Sequence, residues 1–215
     1  MKRMAGLEEG KLLQSIDTLK RGNIRKIVDT RIKEFKEIDR RSSDEIFKEL
    51  GFCILTANFN AEKSIKIQKE IGDGFFTLSE NELAEKLIEL GHRFPNARAG
   101  YISDSVKYKE SLKEIIHSSN TKELREWIVK NIKGLGYKEA SHFLRNIGFD
   151  DYAIIDFHIV DILVRHNLIE RPNSLSKKRY LEIERTLEDL AGKLDLSLSE
   201  IDLYLWYIET GKILK

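Results

Sequence analysis

The sequence predicts an all-α protein, and three observations carry that expectation. Apolar residues recur at helical spacing along almost the whole chain, with no sustained period-two run and no repeat at a fixed period. Serine followed three residues later by glutamate opens three of these stretches, Ser42 with Glu45, Ser79 with Glu82 and Ser197 with Glu200, the spacing of a capping box. Glycine closes four of them, at Gly91, Gly134, Gly148 and Gly211, where a left-handed cap ends a helix.

Taken in order, these signals predict helices over 7–19, 24–38, 43–57, 61–71, 80–90, 96–117, 121–133, 137–147, 157–167, 177–192 and 198–210. The third, fifth and last start at the three serine caps. Pro95 and Pro172 fall in connections, where the missing N–H costs nothing. No linker is long or Gly/Ser-rich enough to separate independent domains, so any division is into packed helical lobes.

Composition excludes several classes. A chain of 215 residues has enough length to bury a real core. Its single cysteine, Cys53, rules out an intramolecular disulfide, an all-cysteine zinc site and a four-thiolate iron–sulfur cluster. His92, His117, His142, His158 and His166 show no zinc-ligand spacing with acidic or sulfur partners. No metal or other cofactor is expected. No apolar run approaches the roughly 18 to 20 residues of a membrane helix, and the opening MKRMAGLEEGK lacks the apolar core of a signal peptide. An intracellular, cytoplasmic protein with no membrane association is therefore expected. Few glutamines and a Lys/Glu-rich surface also match the composition of heat-adapted proteins.

Net charge is +1 in total but unevenly spread. Arg21 to Arg41 holds eight basic and four acidic residues, Lys130 to Arg145 four basic and one acidic, and Tyr180 to Leu205 two basic and seven acidic. A solvated helix face explains any one such run. The middle run differs because it contains a turn. Trp127 to Ile147 reads WIVKNIKGLGYKEASHFLRNI, a helix, the turn Lys133-Gly134-Leu135-Gly136, and a second helix. Glycine at both ends permits positive φ and exposes backbone N–H groups beside a helix N-terminus, a site for a phosphate oxygen. Leu135 is expected to plug the core and Lys133 to add charge at the rim. An ordinary glycine-capped αα-hairpin is the plainer reading. In the second helix Ala140, Phe143, Leu144 and Ile147 follow the core pattern, which predicts a separate polar face of Lys138, Ser141, His142 and Arg145 turned toward DNA.

Lys138 lies in the first helical turn, where the dipole disfavours a cation. That placement is slightly unfavourable for a surface lysine and suits an amine that must shed its proton to attack. Asp156, within Ala153-Ile154-Ile155-Asp156-Phe157-His158, sits at an N-cap position. Capping is the commoner role of such an aspartate. The backbone N–H groups it would accept also favour a carboxylate that must stay negative beside a developing cation.

The turn Gly134-Leu135-Gly136, Lys138 two residues later, and Asp156-Phe157-His158 resemble the helix-hairpin-helix base-excision glycosylases. With Phe52-Cys53-Ile54-Leu55-Thr56-Ala57-Asn58 and the closing Gly211-Lys212-Ile213-Leu214-Lys215, the whole chain is most similar to the archaeal-type 8-oxoguanine DNA glycosylase/AP lyases, the compact second class of oxoguanine glycosylases. The resemblance implies that Lys138 attacks C1′ of the damaged nucleoside, that Asp156 stabilises the positive charge there, and that β-elimination nicks the strand 3′ to the lesion. The missing cysteine cluster separates the chain from the iron–sulfur branches of the same superfamily.

8-Oxoguanine differs from guanine by a proton on N7 and an oxygen on C8, so its reader needs an acceptor for N7–H and flat surfaces for the flipped base. By resemblance, Phe94 of the Arg93-Phe94 pair, Trp206 and Lys215 with its main-chain carboxylate shape the base pocket. His142 is a further base-site candidate, with ordinary packing as its other reading. His158 and the hairpin residues Lys133, Gly134, Leu135 and Gly136 are expected at DNA phosphates. Asn58 matches the residue that probes the gap left by the flipped base, with Asn60 as competitor. Lys63 stands where the eukaryotic oxoguanine glycosylases have an arginine that reads the opposite cytosine.

The implied architecture has a middle lobe over 42–150, ending in the hairpin at about 121–147, and a second lobe formed from 1–41 and 151–215, with Lys138 and Asp156 on opposite sides of a cleft. The expected partner is double-stranded DNA containing 8-oxoguanine or abasic sites, bound by a monomer. Two alternatives stand beside this reading: a non-catalytic helix-hairpin-helix DNA-binding module, and a bifunctional glycosylase for another oxidised base.

Overall fold

A computed structural model describes residues 2–215, with residues 2–5, 121 and 122 described by their backbone alone. Among the described residues there are helices and no strands. In chain order the helices are α1 (Lys2–Arg21), α2 (Ile24–Ile38), α3 (Ser43–Thr56), α4 (Ala61–Ile71), α5 (Gly74–Thr77), α6 (Glu80–Glu89) and α7 (Pro95–Ser105). After a 3₁₀ turn over Val106–Tyr108 come α8 (Lys109–Ser118), α9 (Thr121–Asn131), α10 (Tyr137–Asn146), α11 (Phe157–Arg165), α12 (Lys177–Leu194) and α13 (Leu198–Thr210).

The expected local signals are present at both ends of the helices. Ser79 with Glu82 and Ser197 with Glu200 form complete capping boxes. Ser42 accepts from the backbone N–H of Glu45, while the Glu45 carboxylate turns to Lys48, 2.6 Å away. Gly91, Gly134, Gly148 and Gly211 all take positive φ. Pro95 opens α7 at its first turn, where proline has no hydrogen bond to lose.

Two differences from the sequence reading have local causes. The single helix expected over 96–117 is broken by the 3₁₀ turn. Buried Ser105 just before it donates its hydroxyl back to the Tyr101 carbonyl at 2.7 Å, a bond that bends helices, and no glycine or proline marks the place. The short α5 lay unread because four residues are too few to show a period.

Packing divides the chain into two units, Glu37–Ile147 and Met1–Lys36 with Gly148–Lys215. In the first, α3 is the central helix. Between Ile46 and Thr56 every residue but Lys48 is buried, as expected of a helix apolar on all sides. α4, α7, α8 and α10 surround it. Each fully buried aliphatic or phenyl side chain here contributes about 1.5–3 kcal/mol of hydrophobic stabilisation.

One charged residue shares that interior. Glu49 of α3 is buried, and its two carboxylate oxygens accept from Gln68 of α4 at 3.1 Å and from Asn146 of α10 at 3.2 Å. Asn146 in turn accepts from the guanidinium of Arg145 at 3.1 Å. Arg125 of α9 donates to the Ser141 hydroxyl at 3.2 Å and lies over the Tyr137 ring. α10 is thereby tied to α3 and α9 by polar bonds of fixed geometry as well as by its apolar face.

In the other unit α1, α11, α12 and α13 pack together, and the chain enters from α10 at Gly148. There φ is +99°, and a Cβ would meet the Lys36 backbone at 2.9 Å, so only glycine fits this crossing. The extended segment 152–155 that follows is buried, and its polar backbone is met by α12. Tyr180 donates its hydroxyl to the Ala153 carbonyl at 2.7 Å and accepts from the Ile155 N–H at 3.1 Å, while buried Glu184 accepts from the Ala153 N–H at 3.1 Å. Replacing Tyr180 by Phe leaves a buried carbonyl and a buried N–H unsatisfied, so chemical denaturation should show a loss of about 1–3 kcal/mol with an unchanged dependence on denaturant. A stability equal to wild type would show that this segment does not depend on α12.

Candidate active site

The hairpin ends α9 and starts α10. Gly134 takes φ of +83°, and a Cβ there would lie 2.5 Å from the Tyr101 ring of α7. Positive φ and close approach therefore both demand glycine. Gly136 differs from the expectation of two positive-φ glycines, because its φ is −88° and it serves as the N-cap of α10. Having no side chain, it leaves the first N–H groups of α10 without a side-chain cap. Leu135 is buried between the helices, as its sequence position suggested. Lys133 stands exposed at the rim and pairs with Asp104 at 2.6 Å, which holds the Asp104 carboxyl below its ordinary value and the Lys133 ammonium above its own.

Lys138 lies in the first turn of α10 with its side chain 29% exposed. Its ammonium is 3.2 Å from the carboxylate of Glu139, which is 15% exposed. The Glu139 charge also acts on Arg98 of α7. The sequence reading passed over Glu139; its position beside Lys138 at a helix start was the available signal.

The remaining polar residues of α10 correct the sequence reading. Ser141, His142 and Arg145 are buried, so they do not form an exposed polar face with Lys138. The His142 ring packs edge-on against Phe52 of α3 at 5.6 Å, and Ser141 and Arg145 belong to the polar bonds described above. Helical periodicity separates apolar from polar faces, but neighbouring helices here supply polar partners to the second face.

The end of α3 and the start of α7 carry two more candidates. Asn58 is exposed with φ of +55°, a left-handed conformation that asparagine tolerates. Asn60, its competitor, is occupied as the N-cap of α4, accepting from the Lys63 N–H at 2.9 Å. Phe94 is exposed at the N-cap of α7, with the guanidinium groups of Arg93 and Arg98 at 4.9 and 5.6 Å from its ring centre. His92, two residues earlier, is buried and stacks on Phe59 at 4.2 Å.

In the other unit Asp156 caps α11, accepting from the Ile159 N–H at 3.0 Å. Phe157 is 67% exposed, a large apolar side chain left in solvent at the helix start. Its ring lies 3.9 Å from that of His158, and His158 meets Trp206 of α13 edge-on at 5.0 Å. The structure thus brings Phe157, His158 and Trp206 together in one aromatic row. The buried indole N–H of Trp206 has no acceptor among the described residues. Arg165 clamps the same two helices through a two-bond pair with Glu209, at 3.1 and 3.2 Å. Lys215 closes the chain, half-buried. Among the described residues no His, Cys, Asp and Glu cluster could hold a metal ion, and no helix is long and apolar enough to cross a membrane.

Among the described residues, helices alone carry a glycine hairpin with a lysine on the next helix turn and an aspartate at a later helix cap, the arrangement by which the sequence resembles the helix-hairpin-helix base-excision class. Comparison with known proteins narrows this. A family model described as 8-oxoguanine DNA glycosylase matches residues 28–196. The 8-oxoguanine DNA glycosylase/AP lyase of Methanocaldococcus jannaschii is 55% identical over 95% of this chain and 99% of its own, and that of Korarchaeum cryptofilum 53% identical over 95% and 98%. The crystal structure of the Methanocaldococcus jannaschii enzyme in complex with a 15mer DNA containing 8-oxoguanine matches with a TM-score of 0.93 at 54% identity, over 95% of this chain and 100% of that one. The chain belongs to the 8-oxoguanine DNA glycosylase family.

The hairpin geometry itself can be tested without substrate. Gly134→Ala combines a left-handed φ with a clash on Tyr101, and denaturation should report a loss of about 2–4 kcal/mol; a change within about 0.5 kcal/mol would show that the turn relaxes freely.

Proposed function

We infer that this protein is a bifunctional base-excision repair enzyme that removes 8-oxoguanine from DNA and cleaves the resulting abasic site. The observation that carries the reading is Lys138 in the first turn of α10, directly after a hairpin whose helix start is left uncapped by any side chain. The family shown above supports it, with relatives that align over 95% of the chain.

The chemistry assigned to the residues is as follows. The neutral amine of Lys138 attacks C1′, and the C1′–N9 bond breaks with its electron pair leaving on the base, which is protonated as it departs. The carboxylate of Asp156 stabilises the positive charge that builds on the sugar as that bond lengthens. Opening of the sugar at the C1′–O4′ bond then gives a protonated imine between C1′ and Lys138. Loss of a proton from C2′ drives out the 3′ phosphate by β-elimination, and water releases Lys138 from the imine. Glu139, 3.2 Å from the Lys138 ammonium in the free protein, must give up that pairing when the amine attacks.

Phe94, Trp206 and Lys215 are assigned to the base, and the unpartnered indole N–H of Trp206 supports a ligand contact over simple core packing. Exposed Asn58 is assigned to the gap left in the duplex, and the cap role of Asn60 favours this choice. The hairpin backbone from Lys133 to Gly136, together with His158, is assigned to phosphates. His142, on the same helix as Lys138 and packed edge-on against Phe52 of α3, is assigned to the base with Phe94, Trp206 and Lys215. The protein acts as a monomer inside the cell on double-stranded DNA, and its assigned residues need no metal or cofactor.

Borohydride reduction tests the reading. Incubation with duplex containing 8-oxoguanine should give a covalent protein–DNA adduct, and Lys138→Gln should abolish it while retaining DNA binding. Absence of the adduct with wild type, or its persistence in Lys138→Gln, would refute the mechanism. An adduct formed on duplex with an oxidised pyrimidine but not with 8-oxoguanine would keep the chemistry and change the base.

A further inference from the structure

The turn that carries Asn58 is held by two buried side chains that the chemistry above does not use. α3 ends at Thr56, and the last carbonyls of a helix have no donor within it. Here they are met from the segment that begins α7. The Leu55 carbonyl lies 3.0 Å from Nε2 of His92, and the Ala57 carbonyl accepts from Nη2 of Arg98 at 2.6 Å. Both side chains are buried, His92 at 5% and Arg98 at 8% exposure. A buried imidazole and guanidinium are costly as mere filling; here each meets a backbone carbonyl, while Nε of Arg98 has no partner among the described residues.

The same two residues also fix Phe94. Its backbone N–H donates to Nδ1 of His92 at 3.1 Å, and the Arg98 guanidinium lies over its ring. Because Nδ1 accepts, the ring proton is on Nε2, where it donates to the Leu55 carbonyl. One neutral tautomer of His92 therefore joins the end of α3 to the N-cap of α7, with Phe59 stacked on its face. Asn58 follows Ala57 directly, in the left-handed conformation that turns the chain out of α3.

We propose that His92 and Arg98 are positioning residues that set Asn58 and Phe94 in register, so that the group entering the duplex gap and the ring stacking on the extruded base are placed as one unit. The proposal rests on the assignment of Asn58 and Phe94 to base extrusion and capture. Misplacement of such groups by a fraction of an ångström slows the step they serve, while cleavage of an abasic site, which has no base to extrude or stack, depends on Lys138 and is affected far less.

Protonation should break the register. An imidazolium presents an N–H to the Phe94 N–H in place of an acceptor. Burial holds His92 below its ordinary value of 6.5, the Leu55 bond opposes this, and the Arg98 charge adds to it. Arg98 faces the ring from α7, and the Glu139 charge acts on Arg98 from α10. The folded-state value being lowered, the neutral arrangement is intact above 6.5 and is lost as pH falls through the lowered value.

The test compares single-turnover release of 8-oxoguanine with cleavage of a pre-formed abasic site in the same duplex, using the ratio of the two rates. His92→Leu, which removes both bonds, should lower the ratio about tenfold or more, and His92→Gln, which retains a donor, should recover part of it. In wild type the ratio should fall as the pH is lowered through the depressed value of His92, since steps shared through Lys138 and Asp156 cancel. An unchanged ratio in a folded His92→Leu variant overturns the proposal. Should that variant fail to fold, an unchanged ratio in a folded Arg98→Met variant, which removes the bond to the Ala57 carbonyl, overturns it equally. Asn58→Ala and Phe94→Ala separate the premises: if neither changes the ratio, the assignment of the base-site residues fails, and if both lower it while His92→Leu does not, the positioning role alone fails.

Discussion

A helix begins with backbone N–H groups that nothing inside the helix can satisfy, and the two segments assigned to catalysis answer this constraint in opposite ways. α11 is closed by its own aspartate, since Asp156 accepts from the Ile159 N–H and is held in one orientation by that bond. α10 is left open, since Gly136 has no side chain to offer. The first arrangement fixes the carboxylate that is assigned to stabilising positive charge. The second leaves N–H groups without a side-chain cap, with Lys138 and its partner Glu139 beside them. Which residue occupies one cap position thus decides whether a helix start holds its own charge or receives one from outside.

Both starts are useful only if they are rigid, and the supporting bonds are polar. α10 is tied through Asn146 to Glu49 and through Ser141 to Arg125. The segment before α11 is tied through its backbone to Tyr180 and Glu184. An apolar contact tolerates sliding, whereas a buried hydrogen bond fixes distance and direction and is costly to leave unmade. Each helix that carries an assigned catalytic side chain therefore rests on at least one buried carboxylate or hydroxyl of its own unit.

What could be read from the sequence was local. Ser79 and Ser197 cap helices because the bonds they make lie within four residues, and Gly134 and Gly211 take positive φ because the turns around them require it. The hairpin, Lys138 and the Asp156 cap belong to the same category. The misreadings were tertiary. Periodicity marked the Ser141, His142 and Arg145 face of α10 as polar, but whether a polar face meets water or a neighbouring helix depends on partners as distant in sequence as Glu49 and Phe52. Ser105 breaks a helix that periodicity predicted as continuous, because its hydroxyl bonds back to Tyr101. His92 looked like any isolated histidine, since its partners Leu55 and Phe94 mark it only once the chain is folded. The same applies to charge: a total of +1 says nothing about the hairpin rim, where Lys133 is already paired with Asp104.

The central claim is that one amine, delivered by the hairpin at the start of α10, forms the covalent intermediate. Peptide mapping by mass spectrometry of the borohydride-reduced adduct tests it most directly. The reduced sugar fragment is expected on the peptide containing Lys138 and on that residue within it. Attachment at Lys133, at another lysine or at the chain's α-amino group would contradict the assignment, whatever the overall rate of base release.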